Sequence, residues 1–116
     1  MKTSYQGSCH CGEVRFEVTL DPDESVSCDC SICSRKGGII NRVAEDQFKL
    51  LTPLENLSLH QFNKRIAKHY FCPTCGIYTF HRPRTAPDMW GINVRCLEDV
   101  DLSAIEIKQV QGSLLD

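Results

Sequence analysis

Short stretches in which apolar and polar residues alternate run along most of the chain. The clearest covers residues 13–20, where every second position from Val14 to Leu20 is apolar and the positions between are polar or charged. A period of two is typical of a strand with one face in the core and the other in water. With residues 5–11 as its partner, this strand predicts a first antiparallel hairpin. The hairpin turns at Gly12, where glycine tolerates a positive φ.

Comparable apolar segments, separated by turn residues, predict seven further short strands. They cover residues 39–44, 48–51, 57–62, 67–71, 77–81, 89–95 and 105–110. One short helical turn is expected over residues 32–36, with Ser31 as its N-cap and Gly37 and Gly38 at its end. The tail from Gln111 is expected to be loose.

No segment has the length and pattern of a helix of three turns, and the chain has no repeat, low-complexity tract or linker. The sequence therefore predicts a single, mainly β domain over residues 1–116, built from short antiparallel strands and hairpins, with its core at about 4–110. A chain of this size buries only a modest core, so metal ions that tie segments together would add useful stability.

Charge and hydropathy narrow the possible partners and location. No apolar run approaches the roughly 20 residues that span a bilayer. The N-terminus lacks the apolar segment of a signal peptide. We therefore expect a cytoplasmic protein with no membrane partner. The formal net charge of −2 gives no basic footprint, so no nucleic-acid partner is predicted.

Eight cysteines are too many to be incidental in a cytoplasmic chain of 116 residues. Disulfides are rare in that compartment, so clustered thiols indicate metal binding or redox chemistry rather than a disulfide framework. The spacings are C-x-C, then C-x-C-x-x-C, then C-x-x-C, with Cys96 left over. Because Cys96 follows an apolar segment, we expect it to be a small buried residue.

The first metal site is predicted from the two outer cysteine pairs. Cys72 and Cys75 flank a tight turn that ends in Gly76, which is typical of a zinc knuckle. Together with Cys9 and Cys11 they supply four thiolates, the closed tetrahedral set of a structural zinc ion. About sixty residues separate the two pairs. A metal ion that joins them lowers the conformational entropy of the unfolded chain. The alternative is two redox-active or merely buried cysteine pairs.

The second metal site is predicted from Cys28, Cys30 and Cys33. Residues two apart on an extended segment point to one side, and a tight turn then returns the third sulfur to the same point. Zinc is the default ion for thiolate ligands, and three protein ligands leave one position open, as in catalytic zinc sites. Five other side chains could close this position in space, namely those of Cys96, His10, His60, His69 and His81.

Neighbouring residues suggest how the second site would work. Asp29 and Ser31 lie between the ligands and could orient them. Arg35 and Lys36 follow directly, and their charges would offset the negative charge of a zinc ion with three or four thiolates. A sulfur-rich zinc favours a soft fourth ligand such as a substrate thiol. Coordination would ionise that thiol, which could then attack an aldehyde carbonyl.

Four segments carry a resemblance to a known family. They are SCHCGEVRF (8–16), CDCSIC (28–33), YFCPTCG (70–76) and INVRCL (92–97). In this order they resemble the glutathione-dependent formaldehyde-activating enzyme family, which also includes centromere protein V. The resemblance implies a β-rich fold with two zinc ions per chain, related to the small β-tent zinc domains.

The resemblance also assigns the two sites and an activity. It implies structural zinc at Cys9, Cys11, Cys72 and Cys75, and catalytic zinc at Cys28, Cys30 and Cys33. The family's named activity is that of a carbon–sulfur lyase that joins glutathione to formaldehyde, giving S-(hydroxymethyl)glutathione. By charge alone, a substrate carboxylate could meet one of five side chains, those of Lys64, Arg65, Lys68, Arg82 and Arg84.

Three functions follow from these residues. The first is a lyase that binds a small-molecule thiol, glutathione or a similar one, at an open three-cysteine zinc site. The second is a non-catalytic zinc-binding module for protein interaction, with both ions structural. The third is a zinc-handling or redox-sensing protein that releases the ion from its three-cysteine site on oxidation. The residues alone name neither the thiol nor the electrophile, nor the oligomeric state.

Overall fold

Residues 2–112 are described by the computed structural model, and they contain ten strands and one short α-helix. The helix α1 covers Ser31–Lys36. The strands are β1 (Thr3–Ser8), β2 (Arg15–Leu20), β3 (Ser25–Cys28), β4 (Ile40–Val43), β5 (Phe48–Leu50), β6 (Ser58–His60), β7 (Lys68–Phe71), β8 (Tyr78–Arg82), β9 (Trp90–Asn93) and β10 (Ile107–Val110).

The strands form two sheets, which confirms the prediction of a mainly β fold. The smaller sheet has the order β1-β2-β5, and the larger has the order β10-β3-β4-β9-β8-β7-β6. Every ladder is antiparallel except the one between β3 and β10, which is parallel. This pair departs from the predicted antiparallel pattern. After β9 the chain passes β4 and β3 instead of turning back in a hairpin, and β10 then pairs with the outer edge of β3. Val110 thereby lies opposite Cys28.

The first hairpin forms as the alternating pattern predicts. Strand β1 pairs with β2 from Thr3 opposite Leu20 to Ser8 opposite Arg15. On β2 the side chain of Phe16 is completely buried, whereas its neighbours Arg15 and Glu17 are exposed. Gly12 has a φ of 83°, in the left-handed region that the turn was predicted to need.

The core contains side chains from both sheets, and a cluster of aromatic rings lies within it. Phe80 on β8 is fully buried. Its ring centroid is 5.8 Å from that of Phe16, 5.0 Å from that of Phe48 and 5.3 Å from that of Trp90. These edge-to-face contacts join the smaller sheet to the centre of the larger one. The packing fixes the turn after β1 relative to the turn after β7.

The local predictions fail at two points near α1. The helix is capped by Cys30 and not by Ser31, because the Cys30 sulfur accepts the Cys33 N–H at 3.4 Å. Strand β3 was not predicted, since its sequence has a single apolar residue between two serines. Its conformation depends on pairing with β4 and β10. Gly37 ends the helix with a φ of 66°, as predicted.

The remaining strands match their predictions, with ends displaced by at most three residues. The tail predicted to be loose from Gln111 is described only as far as Gly112, which lies against Cys28, and residues 113–116 lie outside the described part of the chain. Within residues 2–112, no helix combines the length and the apolar character needed to cross a bilayer.

Candidate functional site

The two outer cysteine pairs meet in space, as predicted. The sulfur atoms of Cys9, Cys11, Cys72 and Cys75 all lie within 4.8 Å of one another. Sγ of Cys11 is 3.6 Å from Sγ of Cys9 and 3.7 Å from Sγ of Cys72. A tetrahedron with zinc–sulfur bonds of about 2.3 Å has edges of about 3.8 Å. These residues therefore fit one tetrahedral ion, and none of the eight cysteines forms a disulfide.

Each half of this four-cysteine cluster is a tight turn whose N–H groups point at sulfur. In the first turn, the Val14 N–H donates to Sγ of Cys9 at 3.3 Å. In the second, the Cys75 N–H donates to Sγ of Cys72 at 3.5 Å, and Gly76 continues the turn with a φ of 77°. Donors of this kind stabilise ionised sulfur.

Electrostatics also favour a bound cation in this cluster. Burial raises the pKa of Cys72 to about 12, so this thiol stays protonated unless a positive charge is close. Backbone N–H donors lower the pKa of Cys75 to about 6. A metal ion would hold all four sulfurs in the ionised form together.

The second cluster also forms as predicted. Cys28 ends β3, Cys30 caps α1 and Cys33 lies inside α1, and their sulfur atoms lie within 4.8 Å of one another. Within residues 2–112, no other histidine, cysteine or carboxylate ligand atom belongs to this group. The three-cysteine cluster can therefore hold a metal ion and leave a position for a ligand from solution.

None of the five side chains that could have closed the cluster joins it. Cys96 lies elsewhere, with its sulfur 3.5 Å from the Tyr78 carbonyl oxygen and 3.6 Å from Nδ2 of Asn93. It is half-buried, and burial raises its pKa to about 12. His10 and His60 are exposed, whereas His69 and His81 are buried beside the cluster without being part of it.

A cavity of about 140 Å³ opens beside the three cysteines. Its lining includes four cationic side chains and no aspartate or glutamate; the cations are Arg42, Lys64, Arg65 and Arg84. Of the five cations considered from sequence, Lys68 and Arg82 lie outside this cavity. Arg82 instead donates to the Glu45 carboxylate and packs 3.6 Å above the Trp90 ring. The charge of the cavity therefore favours an anionic ligand.

The two cations that follow the cysteines have different surroundings. Lys36 is half-buried, with Nζ 2.6 Å from Nδ1 of His69 and 3.6 Å from the centre of the Tyr78 ring. Burial lowers the pKa of Lys36 to about 8, while the sulfurs of Cys33 and Cys30 act in the opposite direction. Arg35 is exposed and donates to the Ser31 carbonyl oxygen at 2.8 Å. Lys36 thus offsets the charge of the cluster more directly than Arg35 does.

Comparison with known proteins agrees with this geometry. The family model described as glutathione-dependent formaldehyde-activating enzyme matches residues 4–110. The chain belongs to this family. It is also similar to a solved structure, that of a Rhodobacter sphaeroides protein, with 42% sequence identity and a TM-score of 0.83. The match covers 90% of this chain and 99% of that one.

Two residues near the three-cysteine cluster of this family member, Arg42 and Gly112, were not identified from sequence as parts of a site, and His69 and His81 were considered only as a fourth ligand. Arg42, His69 and His81 come from strands β4, β7 and β8, and cross-strand register brings them to the cavity. A β carbon at Gly112 would lie 2.3 Å from Sγ of Cys28. The chain after β10 therefore packs directly on the cluster, which only the parallel pairing of β3 and β10 reveals.

Replacing Cys72 with Ser tests the four-cysteine cluster. We expect loss of folded, soluble protein, because a closed metal site contributes its binding free energy to folding. Cys96→Ser is the matched control, since Cys96 lies outside both clusters. Its thermal midpoint should fall by less than about 4 °C, the shift expected for about 1 kcal/mol in a domain of this size. A Cys72→Ser protein with unchanged melting and two metal ions would contradict the assignment.

Replacing Gly112 with Ala tests the packing on the three-cysteine cluster. The added β carbon must displace Cys28 or the segment after β10. We expect this cluster to release its metal to a chelator about tenfold faster or more, the range seen when groups that support a ligand are altered. The exposed neighbour Gln111, changed to Ala, is the control. Release rates equal to wild type in both variants would show that the segment does not support the site.

Proposed function

We propose that this chain is a zinc-dependent carbon–sulfur lyase that adds a thiol to an aldehyde and catalyses the reverse release. Glutathione and formaldehyde are the proposed substrates. The observation that carries the proposal is a group of three sulfur ligands without a fourth protein ligand in the described residues, facing a cavity with four cations and no acidic residue. The family to which the chain belongs supports the same reaction.

The proposal assigns one zinc ion to each cluster. The ion at Cys9, Cys11, Cys72 and Cys75 would be structural, because four protein sulfurs complete a tetrahedron. The ion at Cys28, Cys30 and Cys33 would be catalytic, and thiolate-rich ligand sets suit zinc. When bound there, it would lower the pKa of a substrate thiol, ordinarily about 8.5, so that the thiol ionises at neutral pH.

The side chains of the cavity would bind and orient the thiol substrate. Glutathione carries two carboxylates, and the cations that line the cavity offer ionic partners for them. In the addition, the sulfur electron pair forms the carbon–sulfur bond and the carbonyl π pair moves onto oxygen. The oxygen then takes a proton from water, and the proton lost by the thiol passes to water. Lys36 would offset the negative charge that gathers around the cluster.

The same proposal covers the extent and location of the protein. We infer one domain over residues 1–116, and a cytoplasmic location is consistent with eight cysteines that form no disulfide. The partner is a small thiol. A non-catalytic interaction module remains the alternative if no thiol chemistry is found.

The decisive test is the Cys30→Ser variant in a hemithioacetal exchange assay. Serine is a favourable N-cap, so α1 should persist and the structural zinc should remain bound. Exchange between glutathione and formaldehyde, followed by NMR, should be faster with wild type than without protein. The Cys30→Ser variant should lose this acceleration, and the Cys96→Ser variant should keep it. The spontaneous reaction is fast, so exchange rate rather than yield is the measurement. Wild type without acceleration for glutathione, cysteine or other small thiols would overturn the proposal.

The charge of the cavity gives a second prediction. Changing Lys64 and Arg65 together to Ala should raise the KM for glutathione roughly fivefold to tenfold, as expected for the loss of two partly exposed ion pairs. The KM for the neutral thiol 2-mercaptoethanol should not change. Lys68→Ala is the control, because Lys68 is exposed nearby but lies outside the cavity. An equal rise for both thiols would show that the loop shapes the cavity without binding carboxylates.

A further inference from the structure

His69, on β7, has a buried nitrogen that the fold leaves without a partner. The side chain is 5% exposed, and its Nε2 has no hydrogen-bond partner in the described part of the chain. Most buried polar atoms are paired, so each exception calls for an explanation. The nitrogen belongs to none of the metal-ligating groups.

The contact between Nδ1 and Lys36 decides which ring nitrogen of His69 carries the hydrogen atom. Nδ1 of His69 lies 2.6 Å from Nζ of Lys36, and an ammonium group can only donate. Nδ1 therefore accepts, and a neutral ring must then carry its hydrogen on Nε2. Burial, followed by the charge of Lys36, lowers the pKa of His69 to about 4, so the ring is neutral at pH 7. The unpartnered atom is thus an N–H donor.

The surroundings of the ring place this donor on the side of the three cysteines. His69 lines both the cavity beside the cysteines and an open groove of about 740 Å³, whereas Lys36 lines only the groove. Since Nδ1 is directed to Lys36, Nε2 lies on the edge of the ring that is turned away from Lys36. His81 also lines the cavity, and its ring stacks on that of His69 with centroids 5.3 Å apart.

One exposed side chain covers the other face of the imidazole. The Phe62 ring stacks on His69 with centroids 5.8 Å apart and is 37% exposed. Phe62 also lines the cavity, so a ligand that displaces this surface ring gains access to the imidazole without disturbing the core.

We propose that the Nε2–H of His69 donates a hydrogen bond to the aldehyde oxygen as the carbon–sulfur bond forms. His69 would then be a catalytic residue, and Lys36 a positioning residue that fixes the ring tautomer. This inference rests on the proposed function. The sulfur electron pair forms the new bond, the carbonyl π pair moves onto oxygen, and His69 keeps its proton while stabilising the charge. A fixed, dry donor at a developing oxyanion is the arrangement that contributes most to catalysis of this type.

Two substitutions of His69 separate the donor from the contact with Lys36. In His69→Asn, the short amide can still meet Lys36 but nothing reaches the Nε2 position. In His69→Gln, the amide nitrogen overlays Nε2 and retains a donor. We expect His69→Asn to lower kcat for exchange about 10-fold to 100-fold with the KM for glutathione within twofold of wild type, as for loss of an oxyanion donor. His69→Gln should recover most of that loss.

His60→Gln is the matched control. His60 lies opposite His69 on the neighbouring strand β6, but it is exposed and outside the cavity. Its kcat and KM should equal those of wild type. Zinc content and thermal melting of each variant show whether a lower rate reflects misfolding.

NMR of the ring nitrogens gives a readout that does not depend on activity. In wild type labelled with ¹⁵N-histidine, His69 should show the neutral form with hydrogen on Nε2. Lys36→Met removes the donor to Nδ1, and the spectrum should then show both tautomers. Addition of glutathione alone should leave the Nε2–H resonance in place, and addition of glutathione with formaldehyde should move it downfield.

The outcomes separate this inference from the one on which it rests. A wild type that does not accelerate exchange overturns both. A wild type that accelerates exchange, with His69→Asn equal to it, overturns the role of His69 alone. The role of His69 is also overturned if hydrogen is found on Nδ1, or if glutathione with formaldehyde leaves the Nε2–H resonance unmoved. If His69→Asn does not fold, the wild-type spectra and His69→Gln still decide.

Discussion

Four sulfur atoms that meet within 4.8 Å hold together two turns from distant parts of the chain. One turn joins β1 to β2 and the other joins β7 to β8, so the contact sets how the smaller sheet sits on the larger one. The aromatic core lies between the same elements and stabilises the same arrangement. The position of the histidines beside the three-cysteine cluster depends on this arrangement of the sheets, because β7 and β8 carry them.

Under the proposed function, the two clusters use the same ligand atom, the cysteine sulfur, for a structural and for a catalytic ion. The first is closed by protein alone, and its sulfurs receive N–H donors from turns that hold them still. The second lies at the junction of a strand and a single helical turn, where the spacing supplies three sulfurs and cations gather on one side. The contrast in ligand number, rather than in ligand type, is what separates a structural ion from one that can take a substrate.

Local features of the fold and site could be predicted from the sequence, because spacing and alternation encode them. Each of the motifs C-x-C, C-x-C-x-x-C and C-x-x-C is formed by cysteines close in sequence. The alternation of apolar and polar residues in β2 likewise identifies its buried face. Features that depend on an irregular register, as between β7 and β8, or on pairing between distant strands could not be predicted. The register between β7 and β8 aligns His69 with His81, and the parallel edge at β3 brings Gly112 to Cys28. Charge alone likewise could not distinguish Lys64, which faces the cavity, from Lys68, which does not.

The central claim is that the three-cysteine site keeps a coordination position for a substrate thiol, and ¹¹³Cd NMR of the cadmium-substituted protein tests it most directly. The account predicts two resonances of equal intensity. One should have the shift of a four-sulfur site and stay in place when glutathione is added. The other should lie upfield of it and move towards the four-sulfur position with glutathione. Two four-sulfur resonances before any thiol is added, or no movement of either resonance with glutathione, would contradict it.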